Sequence, residues 1–158
     1  MDVLDEELIK FWRALNENNV RYIMVGGFAT RFHGFNRNTD DLDMWLEDML
    51  ENRKNLRAAI RMLGYGDFAP LETMPFVPGF SSINIVGGIE LDIMTQMKGL
   101  EDHSFEECLS MASIADLEGV HVPTRIRAHR VLSYGCVRVF RGEDLGLLAR
   151  TFRGRLIS

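Results

Sequence analysis

Cysteine is scarce: Cys108 and Cys136 are the only two in 158 residues. Two are too few for a disulfide framework, and they lack the clustered spacing with histidine that a zinc site needs. Both are expected to be reduced and structural. Long apolar runs are missing too. No stretch approaches the roughly eighteen uninterrupted apolar residues that a membrane-spanning helix requires. The start MDVLDEEL lacks the basic and then apolar layout of a signal peptide, which predicts a cytoplasmic protein without a membrane partner. No internal repeat or low-complexity tract interrupts the chain. What is present, 46% hydrophobic and 26% charged residues, suits one domain with a single core.

The net charge of -5 conceals an uneven distribution. Residues 1–124 hold 10 Lys+Arg against 21 Asp+Glu, whereas residues 125–158 hold 8 Arg, no Lys and 2 acids. An acidic body argues against broad nonspecific nucleic-acid binding, which depends on cations displacing counterions from phosphates. The basic end alone could do it.

Apolar spacing predicts the elements in order. Leu8, Ile9, Phe11, Trp12 and Leu15 gather on one side of a helix that Asn18 and Asn19 terminate. VRYIMV reads as a buried strand ending at Gly26-Gly27, followed by a short helix closed by Gly34. In DLDMWL, Asp41, Asp43 and Trp45 share one face, and Leu42, Met44 and Leu46 the other. Asp48 is a candidate cap for a helix from about Met49 to Leu63, with Leu50, Leu56, Ile60 and Leu63 in its buried stripe. The proline-containing segment from Gly66 to Gly79 reads as a loop or edge piece that borders the site. SINIV and IELDIM flank Gly87-Gly88, a strong hairpin signal. Glu90 and Asp92 then share the polar face of the second strand. Ser104 and Glu107 form a capping box before SFEECLSMA, and GVHVP reads as a further strand.

Two aspartates at i and i+2 on a strand project to the same side, close enough to share hard cations that favour oxygen ligands. Asp41 and Asp43 meet that requirement. Asp92 joins them if its strand neighbours theirs. Two magnesium ions held by such a cluster could bind a nucleoside triphosphate and stabilise phosphoryl transfer. Gly26-Gly27 supplies the complementary part, because glycine lets backbone approach a phosphate and the next helix offers free N–H groups. Taken singly, each feature has an ordinary structural use: glycine pairs make turns, and Asp-rich strand starts are often solvated loop ends. Asp40 has the opposite strand parity and should point away.

VGGFATRFHGFNRNTDDLDMWL resembles the nucleotidyltransferase signature of an apolar residue, Gly, then Gly or Ser, a short helix and D-x-D. The chain is similar to the DNA polymerase β-like superfamily and, within it, to minimal nucleotidyltransferases of the AbiEii toxin type. His33-Gly34, Arg37, Thr39, Asp41 and Asp43 match the fuller pattern, and Asp92 fills the place of the third acid. The likeness spans residues 8–123 by order of elements, with the tight motif at 25–46. It implies an α/β (α+β) nucleotidyltransferase fold, a small mixed β-sheet with helices mainly on one face. It implies transfer of a nucleoside monophosphate from a triphosphate to a hydroxyl on RNA, protein or a small molecule. Asp41, Asp43 and Asp92 would be catalytic magnesium ligands, and Gly26, Gly27, His33, Arg37 and Thr39 would bind the donor. A toxin or phage-defence role with a cognate antitoxin follows from the same likeness. A lone histidine at a helix end more often caps or packs than catalyses, whereas Arg37 could hold phosphate oxygens bidentately. Glu90 is read as an exposed strand residue beside Asp92.

The resemblance stops after Pro123. Relatives would continue with a lysine-containing helix and a polar turn into a last helix, while this chain runs on with arginine and poor periodicity. Residues 1–124 are therefore read as the nucleotidyltransferase domain and 125–158 as an atypical segment, either an out-of-frame end or an arginine-rich arm for RNA or an acidic partner. The alternative function is a catalytically degenerate nucleotide- or RNA-binding module, or an antitoxin-like partner subunit.

Overall fold

The computed structural model describes residues 6–32, 41–76, 81–85, 89–125 and 139–141. Over these it is mixed α/β, with a seven-stranded sheet in the order β3-β4-β2-β1-β6-β5-β7. The strands are β1 (Tyr22–Met24), β2 (Asp41–Leu46), β3 (Ser81–Ile85), β4 (Ile89–Met94), β5 (Ser113–Leu117), β6 (Val120–Thr124) and β7 (Val139–Arg141). The helices are α1 (Glu6–Glu17), α2 (Gly26–Phe32), α3 (Leu50–Met62) and α4 (Phe105–Ser110). The sheet is mixed: β2 runs parallel to β4, and β1 to β6, while β1–β2, β3–β4 and β5–β6 are antiparallel.

Strand parity splits the apolar residues between two cores. Tyr22 and Met24, Leu42, Met44 and Leu46, and Leu91 and Ile93 join the larger one, beneath α1, α2 and α3. Ile23, Val25 and Trp45 face the other way, toward Cys108 of α4. Three of the four described α-helices thus pack against one core.

All five apolar residues expected on α1 are buried. Each such side chain contributes about 1.5–3 kcal/mol relative to exposure. Asn19 ends the helix region at φ 54°, a left-handed conformation asparagine tolerates better than most residues. The β3–β4 hairpin is present with Ile85 opposite Ile89; its Gly87-Gly88 turn lies outside the described residues.

Four readings change. The helix begins at Leu50, so Met49, which has no oxygen acceptor, holds the cap position, and the Asp48 carboxylate one residue before it takes a 2.6 Å bond from Arg53 Nε. Leu50 is 56% exposed rather than buried; the stripe of α3 is Asn52, Leu56, Ala59 and Ile60. The segment after Gly64 does not border the carboxylate face in its described part. Arg57 holds Asp67 and Glu72, Arg53 donates to Met74 O at 2.6 Å, and Leu71 and Phe76 enter the larger core. Finally, β5 and β7 were not expected. β5 forms a hairpin with β6 through Glu118 and Gly119, at φ 52° and 83°, and β7 pairs parallel with β5 at the sheet edge.

Candidate functional site

Parity puts Asp41, Asp43 and Trp45 on the face opposite the larger core, since Leu42, Met44 and Leu46 are in it. The same holds for Glu90 and Asp92, because Leu91 and Ile93 are in that core. The parallel ladder of β2 and β4 then pairs Asp41 with Glu90 and Asp43 with Asp92. On the other side of β4, Ser82 is the register partner of Asp92, and Asn84 of Glu90. Two polar rows cross three strands: Asp41, Glu90, Asn84, and Asp43, Asp92, Ser82. Sequence reading found the acids of these rows and missed Ser82, whose hydroxyl donates to Glu90 Oε1 at 2.6 Å. The bond runs across the β3–β4 hairpin.

Gly26 sits where β1 turns into α2, and its φ of +67° is one that glycine adopts without strain. The turn lies directly against Asp43. A Cβ on Gly26 would stand 1.9 Å from Asp43 Oδ2. The Gly27 amide donates to that oxygen at 3.4 Å, a long bond against the usual 2.9–3.0 Å. Backbone pairing fixes this proximity, since Val25 N donates to Asp43 O at 3.0 Å. Thr30 Oγ donates back to Gly26 O at 2.7 Å and ties the first turn of α2 to its start.

Asp92 carries the least satisfied atom of the region. Its Oδ1 is buried and has no hydrogen-bond partner, which costs about 1–3 kcal/mol when left uncompensated. An oxygen in that state suits a hard cation. Yet among the described residues no three His, Cys, Asp or Glu side chains are grouped to hold a metal. The donor set is right for magnesium, with Asp43 resting on the Gly26-Gly27 turn. His33, Gly34, Arg37, Thr39 and Asp40 lie outside the described residues.

One rung beyond Asp43 a cavity of about 250 Å³ opens at the carboxyl ends of β2 and β4. Trp45, Glu47, Thr95, Met97, His103 and Phe105 are among its walls. Trp45 and Phe105 meet edge to face with centroids 5.4 Å apart. Arg21 donates from Nε to Glu47 at 2.5 Å and pairs with Glu106 of α4.

Comparison with protein-family models, curated proteins and solved structures finds no match to this chain. No helix among the described residues is long and apolar enough to cross a membrane.

Proposed function

We propose that this chain is a metal-dependent nucleotidyltransferase, moving a nucleoside monophosphate from a nucleoside triphosphate to a hydroxyl acceptor and releasing pyrophosphate. The observation that carries the reading is the pairing of Asp43 with Asp92 across the parallel β2–β4 ladder, beside a glycine turn with no room for a side chain. The orphaned Oδ1 of Asp92 supports it. On this reading the sheet and its helices are a nucleotidyltransferase fold.

Asp41, Asp43 and Asp92 would hold two magnesium ions, which when bound neutralise charge on the triphosphate and on the attacking and leaving oxygens. The chain's own residues divide the remaining work. Gly26 and Gly27 let backbone approach the phosphates. Asp92 takes the proton of the acceptor hydroxyl as its oxygen attacks the α-phosphorus. By resemblance, Arg37, Thr39 and His33 would bind the donor triphosphate. The acceptor would be RNA, protein or a small molecule, and by resemblance the reaction would serve a toxin or phage-defence role with a cognate antitoxin.

A second reading is a catalytically silent nucleotide- or RNA-binding or antitoxin-like subunit built on the same fold. One experiment separates the two. Purified protein is incubated with each α-phosphate-labelled nucleoside triphosphate, magnesium, and total cell RNA and protein, beside an Asp41→Ala, Asp43→Ala control. Label transfer that the double variant loses supports the enzyme. Magnesium-dependent nucleotide binding without transfer supports the silent subunit.

A further inference from the structure

The cavity at the carboxyl ends of β2 and β4 continues the carboxylate face. Trp45, one of its walls, stands on that face two residues beyond Asp43, a step of about 6.6 Å along β2. The glycine turn lies the other way. β1 runs antiparallel to β2, with Ile23 opposite Trp45 and Met24 opposite Met44, so its exit into Gly26 points away from the cavity. The order along β2 is therefore glycine turn, carboxylates, cavity. A nucleotide with its phosphates at the turn and its α-phosphorus over Asp43 and Asp92 carries its base toward the cavity.

We propose that this cavity is the base pocket of the donor nucleotide and that Gln96 makes it select adenine. The proposal rests on the nucleotidyltransferase reading and adds which nucleotide the site takes. Trp45 and Phe105 give the cavity an aromatic wall for a flat ring. Three carboxylates, of Glu47, Asp48 and Glu101, line it, and no lysine or arginine is among its described lining residues. Arg21 and Arg53 hold the first two from outside that lining. The walls therefore turn polyphosphate away and admit the uncharged end of the molecule, which fixes its direction. The volume of about 250 Å³ falls just below the roughly 300–1,000 Å³ of sites that enclose a whole small molecule, as suits one end of a nucleotide. The Gln96 amide offers a hydrogen-bond donor and an acceptor side by side, the pair that adenine matches with N6 and N7. Guanine presents two acceptors on that edge, which arginine or lysine would match.

Isothermal titration calorimetry of the full chain with Mg²⁺ compares ATP, GTP and inorganic tripolyphosphate. ATP is expected to bind about tenfold tighter than either, the worth of one two-bond base contact. Gln96→Ala should bring ATP level with GTP; Gln96 is exposed, so its replacement leaves the core intact. ATP binding no tighter than GTP or tripolyphosphate overturns the adenine pocket and leaves the nucleotidyltransferase reading standing. So does a preference for ATP that survives Gln96→Ala. Absence of binding by all three overturns both.

Discussion

Gly26 and Asp43 compete for one space: a Cβ on Gly26 would lie 1.9 Å from Asp43 Oδ2 and 2.7 Å from Asp43 Cβ. Gly26→Ala must therefore push Asp43 off its seat and also hold alanine at φ +67°. The backbone term alone costs about 1–2 kcal/mol. The expected outcome is a lower urea midpoint together with lost nucleotide transfer. Transfer at the wild-type rate would show that Asp43 is not needed where it stands.

Asp92→Asn keeps the shape of the side chain and removes its charge. If Asp92 accepts the acceptor's proton, transfer should fall on the order of 10²–10⁴-fold. The urea midpoint should not fall, because the substitution removes a charge whose Oδ1 is buried without a partner. Steady-state rates with the labelled triphosphate check this; an unchanged rate would remove Asp92 from the mechanism.

Asn52 is 3% exposed and satisfies three backbone groups. Its Oδ1 accepts from Arg21 N at 2.7 Å, and its Nδ2 donates to Arg21 O and Glu47 O at 2.9 and 2.8 Å. These bonds clamp the approach to β1 against the end of β2. Asn52→Leu strands the Arg21 amide, which alone costs about 1–3 kcal/mol. Chemical denaturation should show at least that loss, and a variant as stable as the parent would contradict the clamp.

The capping box of α4 gives a pH dependence of known sign. The Ser104 backbone amide, and then its hydroxyl, hold the Glu107 carboxyl below its ordinary value of 4.5. A carboxyl lowered in the folded state adds stability that is fully present above the unfolded value and is lost as pH falls through the folded one. Glu107→Gln should therefore be less stable than wild type at neutral pH, and the two should converge in acid. Thermal melts across that range test it; a constant difference would mean the bond is not to the charged form.

Much of the fold can be read in the chain because it is written locally. The stripe of α1, the alternation in DLDMWL, the Gly87-Gly88 hairpin and the Ser104–Glu107 box each depend on neighbours within a few residues. The failures occur where a distant or competing partner decides. Asp48 has the chemistry of a helix cap, but the helix begins at Leu50 and Arg53 takes its carboxylate. SIADL carries polar residues among its apolar ones and lacks a clean period, so β5 is visible only once β6 lies beside it.

The candidate site divides along the same line. Parity alone put Asp41 with Asp43, and Glu90 with Asp92, on polar faces, because a strand repeats every two residues whatever lies beside it. Parity could not say that β4 lies next to β2 and runs parallel to it, nor that Asp43 would fall opposite Asp92. That pairing joins strands separated by α3 and the β3 hairpin. It is set by how the larger core packs, with Leu42, Met44, Leu91 and Ile93 all driven to one side. The contact of Gly26 with Asp43 and the orphaned oxygen of Asp92 have the same origin. They arise from segments far apart in sequence, whose meeting depends on burial of the whole sheet rather than on any local pattern.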